Sequence, residues 1–303
     1  MIQGNHPDPH SGITGFHPYP RKLLHWGGTL LAIAGIVFVA LRLYDQLAHI
    51  DLAHFGWRVG AALIGLTLVY ALANGLLALA WWHLLNQCGV HTSRRHAITL
   101  YGRSQIAKYV PGNIMHLAGR QAMGMTAGLP GWPLAKSTAW ELGVIVTAGA
   151  LFGCLVLPSL LADFSVTANL MLFLVAVLGS AEMLRYLIGV QVAQALVWQT
   201  VFLLISGLLF VGLASLLGTD NITSIMWPLV GAYVLAWLAG LVTPGAPAGV
   251  GVRELVLILL MNGMISETEL LLAVVLGRLI TVGGDLVFFG MALMLDDGSK
   301  LTA

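Results

Sequence analysis

Val190 to Leu217 reads VQVAQALVWQTVFLLISGLLFVGLASLL, with no charged side chain. A helix needs about 20 mainly apolar residues to cross the hydrocarbon core of a bilayer, and this run is longer. Working outward, Leu170 to Ile188 is a second such run, joined to the first with almost no loop. Ile225 to Val242 follows it, and Glu269 to Leu295 is the last. Towards the N-terminus, Leu134 to Leu161, Val59 to Leu85 and Leu23 to Leu41 complete seven predicted spans.

Composition agrees with a polytopic membrane protein. The hydrophobic fraction is 58%, the charged fraction 9% and the mean hydropathy +0.88, whereas soluble domains carry about 25% charged residues. A net charge of +1 offers no surface for a polyanion, so nucleic acid is not an expected partner. Two cysteines, Cys88 and Cys154, imply neither a disulfide framework nor a metal cluster. The first 20 residues lack the apolar run of a signal peptide and are rich in Pro, Gly and His. The expected organisation is a disordered cytoplasmic tail over 1–22, one membrane domain over 23–296 and a short tail over 297–303.

Two stretches look like copies of one device: YVPGNIMHLAGR, Tyr109 to Arg120, and TPGAPAGVGVRE, Thr243 to Glu254. Each has Pro-Gly and then an arginine at the same spacing: Pro111, Gly112 and Arg120, then Pro244, Gly245 and Arg253. Proline removes a backbone donor and disfavours helix before it, while glycine frees the backbone. A helix restarting after such a break presents unpaired N–H groups and a favourable dipole to an anion. Asn113 is a plausible N-cap for the first restart, and Gly251 lies at the second. An arginine fork suits phosphate or carboxylate. The apolar segments after the breaks, Asn113 to Met125 and Val252 to Met261, are too short to cross. The expected fold is therefore all-α, with about seven to eight transmembrane helices plus two re-entrant half-helices. The duplicated halves cover about 23–161 and 190–296. Ordinary spans with proline kinks are the other reading.

Ionisable residues also fall inside spans: Glu141, Glu182, Arg185, Arg278 and Asp285. Such residues cost at least about 2.5 kcal/mol at mid-bilayer, so they face the interior and pair. Glu141 with Arg120 or Arg278 is the expected internal pair, and Glu182 with Arg185 a local one. His116 is the one histidine inside a device. Tyr101, Arg103 and Lys108 precede the first break, where they would meet a headgroup or anchor the surface. Gly283 and Gly290 share a helix face and predict close packing. The loop carrying Arg94, Arg95, Arg103 and Lys108 predicts a cytoplasmic N-terminus. Inverted repeats would open the two devices to opposite faces, whereas the span count starts both from the cytoplasmic one; the residues leave this open. No GxxxxGK[ST], HExxH or GxSxG motif is present, so no cofactor is expected, and an enzyme active by itself is the least favoured class.

These motifs, YxPGNxxHLxGR before a Glu-bearing span and PGAPAGVGVRE before an Arg-bearing one, resemble the lysylphosphatidylglycerol synthase transmembrane-region family. That family includes the flippase domain of the multiple peptide resistance factor and stand-alone relatives. The likeness covers about residues 25 to 295. It implies a lipid flippase in the bacterial cytoplasmic (inner) membrane, moving an anionic phospholipid or polyprenyl-phosphate-linked glycolipid. On this reading Arg120, Arg253, Arg278, His116, Glu141, Glu254, Asn113, Tyr109, Lys108 and Arg103 surround the headgroup. Pro111, Gly112, Pro244, Gly245 and Gly251 are the hinges. The sequence ends at Ala303 without an aminoacyl-transferase domain, so transport rather than lysyl-lipid synthesis is expected. Pro247 departs from the family's commoner PGGLGVRE form. Two other readings stand beside it: an ion-coupled transporter of a small anionic solute, using Glu141 and Asp285, and an accessory subunit recruiting a cytoplasmic glycosyltransferase or lipid-modifying enzyme.

Overall fold

Serine side chains begin three of the helices. Ser93, Ser165 and Ser266 sit in extended backbone and accept the N–H of His96 at 3.2 Å, Ala168 at 3.2 Å and Glu269 at 3.3 Å. Each bond satisfies one of the donors that a helix start leaves unpaired. The computed structural model describes residues 56–109, 115–156, 165–219, 222–243 and 251–295. They form α1 (Trp57–Gln87), α2 (Arg94–Gln105) with a 3-10 turn (Ile106–Tyr109), α3 (Met115–Thr126), α4 (Gly131–Leu151) and α5 (Val166–Leu187). After these come α6 (Val190–Leu216), α7 (Ile222–Val242), α8 (Val252–Met261) and α9 (Glu267–Met294). Both tails, the Leu23 to Leu41 span, Pro111, Gly112, Asn113, Pro244, Gly245 and Pro247 lie outside these residues.

The described residues form helices and their connections, with no strand among them. Six helices are long and apolar enough to cross a membrane: α1, α4 with its continuation to Val156, α5, α6, α7 and α9. The chain is a multi-pass membrane protein, and helices of spanning length occupy six of the seven expected spans. α3 and α8, with 12 and 10 residues, are too short to cross.

α6 lies at the centre, packed against α1, α4, α5 and α7, while α9 packs on α1 and α2. Asn169 is the only buried residue of α5, so that helix turns its apolar surface outward. One close crossing is α9 on α1: a Cβ at Gly284 would lie 2.6 Å from Tyr70 Cδ1 and 3.1 Å from the backbone N of Ala71. The expected pairing of Gly283 with Gly290 is corrected here. Gly283 faces Thr67, but a Cβ at Gly290 would meet nothing within 4 Å.

Long-range bonds fix which helix ends lie together. His83 Nδ1 pairs with Gln191 Oε1 at 2.6 Å, and Gln87 donates to the Ile188 carbonyl at 3.1 Å, joining the end of α1 to the start of α6. Trp81 Nε1 donates to Ser137 Oγ at 3.1 Å, joining the same end of α1 to the start of α4. Arg95 Nε donates to the Leu295 carbonyl at 3.0 Å, which brings the end of α9 to the start of α2. α7 runs antiparallel to α4: Gly149 faces Leu238 and Gly231 faces Val156. α3 runs back along α4, with Gly124 against Leu134 and Arg120 against Glu141. α8 runs antiparallel to α9, since Glu254 near its start meets Arg278 and its end leads directly into α9.

Candidate functional site

Three polar clusters sit inside this apolar bundle. The first joins α3 to α4. Arg120 is 2% exposed and directs both terminal guanidinium nitrogens to the Glu141 carboxylate. Tyr101 donates its hydroxyl to the same carboxylate at 3.0 Å. The guanidinium lies 4.6 Å from both the Trp81 and the Tyr101 ring centroids. Two aromatic faces and a bidentate carboxylate therefore replace the hydration of the cation, which is how such a charge survives burial. Of the two expected partners for Glu141, the structure selects Arg120.

The second cluster surrounds Asp285 on α9, which is 0% exposed. Lys108 and Tyr109, at the tip of the segment before the first break, both bond its Oδ2. Asn74 of α1 donates its amide to Oδ1 at 3.1 Å. Gln105 donates to the Asn74 side-chain oxygen at 3.3 Å and so sets the orientation of that amide. The residues leading into the first break are thereby tied to α9, and those leading out of it to α4.

The third cluster forms at the start of α8. Gly251 adopts φ 85, a left-handed conformation that glycine takes without strain. Its N–H donates to Glu254 Oε2 at 2.7 Å, and the other Glu254 oxygen binds Arg278 of α9. One carboxylate thus caps the restarting helix and holds a cation on its neighbour. Arg253 donates to the Tyr233 hydroxyl at 3.3 Å and lies 5.5 Å from that ring, which itself stacks on Phe210 at 4.6 Å. No carboxylate pairs with Arg253 among the described residues. A small pocket lies here, lined by Arg253, Arg278, Tyr233, Thr281, Phe210, Leu257, Val274 and Gly277.

The clusters adjoin. Tyr70 of α1 lies within the electrostatic reach of both Asp285 and Arg253, and Tyr109 feels the same two charges. Arg278 and Asp285 stand about two turns apart on α9. His116, one turn before Arg120 on α3, has a buried Nδ1 with no hydrogen-bond partner among the described residues. Arg103 is half-buried on α2. Tyr101 and Lys108 point into the bundle. Glu182 and Arg185 form the expected local pair at 3.1 Å, exposed on α5. Among the described residues no group of His, Cys, Asp and Glu is arranged to hold a metal ion.

Sequence reasoning missed Asn74, Tyr233 and Trp81. The signal for the first two was available: an amide and a phenol stranded in long apolar runs. No protein-family model, no curated protein and no solved structure matches this chain.

Proposed function

We propose that this protein is a flippase-like transporter that carries an anionic lipid headgroup through the bundle while its apolar chains stay in the bilayer. The observation that carries the reading is the cleft beside α8. It brings two guanidinium groups and, with Glu254, one carboxylate together among the described residues, beside Phe210, Leu257 and Val274. A monoanionic phosphate on an aliphatic chain has that polarity. The likeness of the two motifs to the lysylphosphatidylglycerol synthase transmembrane-region family supports the same reading.

The direction of the helices supports two re-entrant hairpins. The residues before the first break enter from the end of the bundle that holds Arg94 and Arg95, reach Asp285, and α3 returns to that end, where α4 starts. Helix α7 enters from the other end; α8 begins beside Arg278, in the middle of α9, and returns to that other end, where α9 starts. The order helix, hairpin, helix occurs twice, as α1 to α4 and as α6 to α9, with opposite sense. On this reading the hairpins open to opposite faces, and Lys108 before the first break and Glu254 after the second both bond to α9. This arrangement suits alternating access around one central site. Among the described residues Arg94, Arg95, Lys136 and Arg185 gather at the first end and Arg58 lies at the second, so we read the first end as cytoplasmic by the positive-inside rule.

The test is reconstitution in vesicles with fluorescent phosphatidylglycerol and, separately, phosphatidylcholine. The wild-type protein should move the anionic lipid faster. Arg253→Ala and Arg278→Ala should each slow it about tenfold or more, the loss of a charge-assisted hydrogen bond. Equal rates for wild type and both variants would sink the reading, and uptake of a soluble anion without lipid movement would favour the solute transporter.

A further inference from the structure

We propose that Asp285 is a proton-exchange site whose resident counter-ion is Lys108, and that arrival of an anion in the neighbouring cleft draws Lys108 away and loads the proton. The two partners differ in freedom. Asp285 has no exposed side-chain surface, whereas the Lys108 side chain is 24% exposed and ends a 3-10 turn rather than a long helix. Lys108 is therefore the partner that can leave. A carboxylate stripped of its cation in such a place costs several kcal/mol, and burial of that kind is relieved by neutralisation.

The surroundings favour a proton over a metal cation. Hard cations need several oxygen ligands, but Asp285 is met by donors: the Lys108 ammonium, the Tyr109 hydroxyl and the Asn74 amide. The Asn74 oxygen is turned away towards Gln105. The groups facing the site from each packed element are few. Lys108 and Tyr109 come from the 3-10 turn, Asn74 and Tyr70 from α1, and Gln105 from α2. At longer range Arg253 comes from α8, and His116 of α3 lies within reach of Lys108. α6 carries no charged residue. Arg278 stands about two turns away on α9 itself, and among the described residues Lys108 is the cation in contact with Asp285, so release of Lys108 leaves protonation as the remedy.

The balance is simple. Lys108 keeps its protons and transfers its ion pair from Asp285 to the anion. One proton from water adds to Asp285 Oδ2. A monoanion and a proton then occupy the protein together, and their combined charge is zero. The anion step rests on the transport reading above; the proton site does not.

Two measurements on the full chain in detergent decide the matter. In the first, Lys108→Met and Lys108→Gln are compared with the same variants carrying Asp285→Asn, by infrared spectroscopy at neutral pH. Each single variant should gain a protonated-carboxyl carbonyl band that the double variant lacks. Its absence from both single variants overturns the proposal. In the second, dihexanoyl phosphatidylglycerol, a phosphodiester monoanion, is added to wild-type protein in weak buffer, with binding followed by calorimetry and proton uptake by a pH dye. About one proton per bound ligand should be taken up, and none by Asp285→Asn. Binding without uptake overturns the coupling. Failure to bind refutes the anion cleft instead, while the infrared result still decides the proton site.

Discussion

Arg120 and Arg253 stand at matched positions in two similar stretches, yet their side chains do different work. Arg120 has spent its charge: both terminal nitrogens go to Glu141, and the Trp81 and Tyr101 rings lie beside the guanidinium. A phosphate reaching it would have to displace a buried carboxylate. Arg253 meets only a neutral phenol among the described residues and borders the cleft. The first arginine ties α3 to α4, and the second is the one we propose as a ligand for the headgroup. Removing one partner of a buried pair costs about 3–5 kcal/mol, whereas replacing both by apolar residues is often neutral. Arg120→Leu should therefore lower the apparent melting temperature in detergent more than Arg120→Leu with Glu141→Leu does. If the double variant is as unstable as the two single losses added together, the pair is not the anchor described. The arginine and glutamate were legible in the sequence because charge in a span demands a partner. Their aromatic box was not, because Trp81 at a helix end reads as an interfacial residue, although it is 0% exposed.

At the scale of elements, an apolar run longer than a bilayer is thick leaves little choice, and all six described long helices were legible for that reason. The crossings between them were less so. Glycine spacing alone gave Gly283 with Gly290, but the contact that matters is Gly284, where the α1 backbone comes close enough to exclude a methyl group. Spacing reports which residues share a face, not where along that face another helix crosses. Gly284→Ala should force α1 and α9 apart, at an overpacking cost of about 1–3 kcal/mol. Gly290→Ala, with open space around it, should leave the apparent melting temperature near that of the wild type. Similar melting of the two variants would mean that this crossing yields easily.

For the molecule as a whole, the sequence left undecided whether the two devices open to one face or to two. Hydropathy counts spans but does not give the direction of a short helix. That direction is set by partners far apart in sequence: Asn74 and Lys108 with Asp285, Glu254 with Arg278, and Arg95 with Leu295. With Trp81 on Ser137 and Arg120 on Glu141, they put the turn between α3 and α4 at the end of the bundle shared by Arg95 and Leu295, and the turn between α8 and α9 at the opposite end. Thr126 and Asn262 are exposed beside those two turns. In a background with Cys88 and Cys154 replaced by Ala, Thr126→Cys and Asn262→Cys should react with a membrane-impermeant maleimide from opposite sides. Thr126→Cys should be labelled only after the membrane is permeabilised, and Asn262→Cys in intact cells. Labelling of both from one side would return the devices to a parallel arrangement. A single central site could then no longer be reached from both faces through the two hairpins.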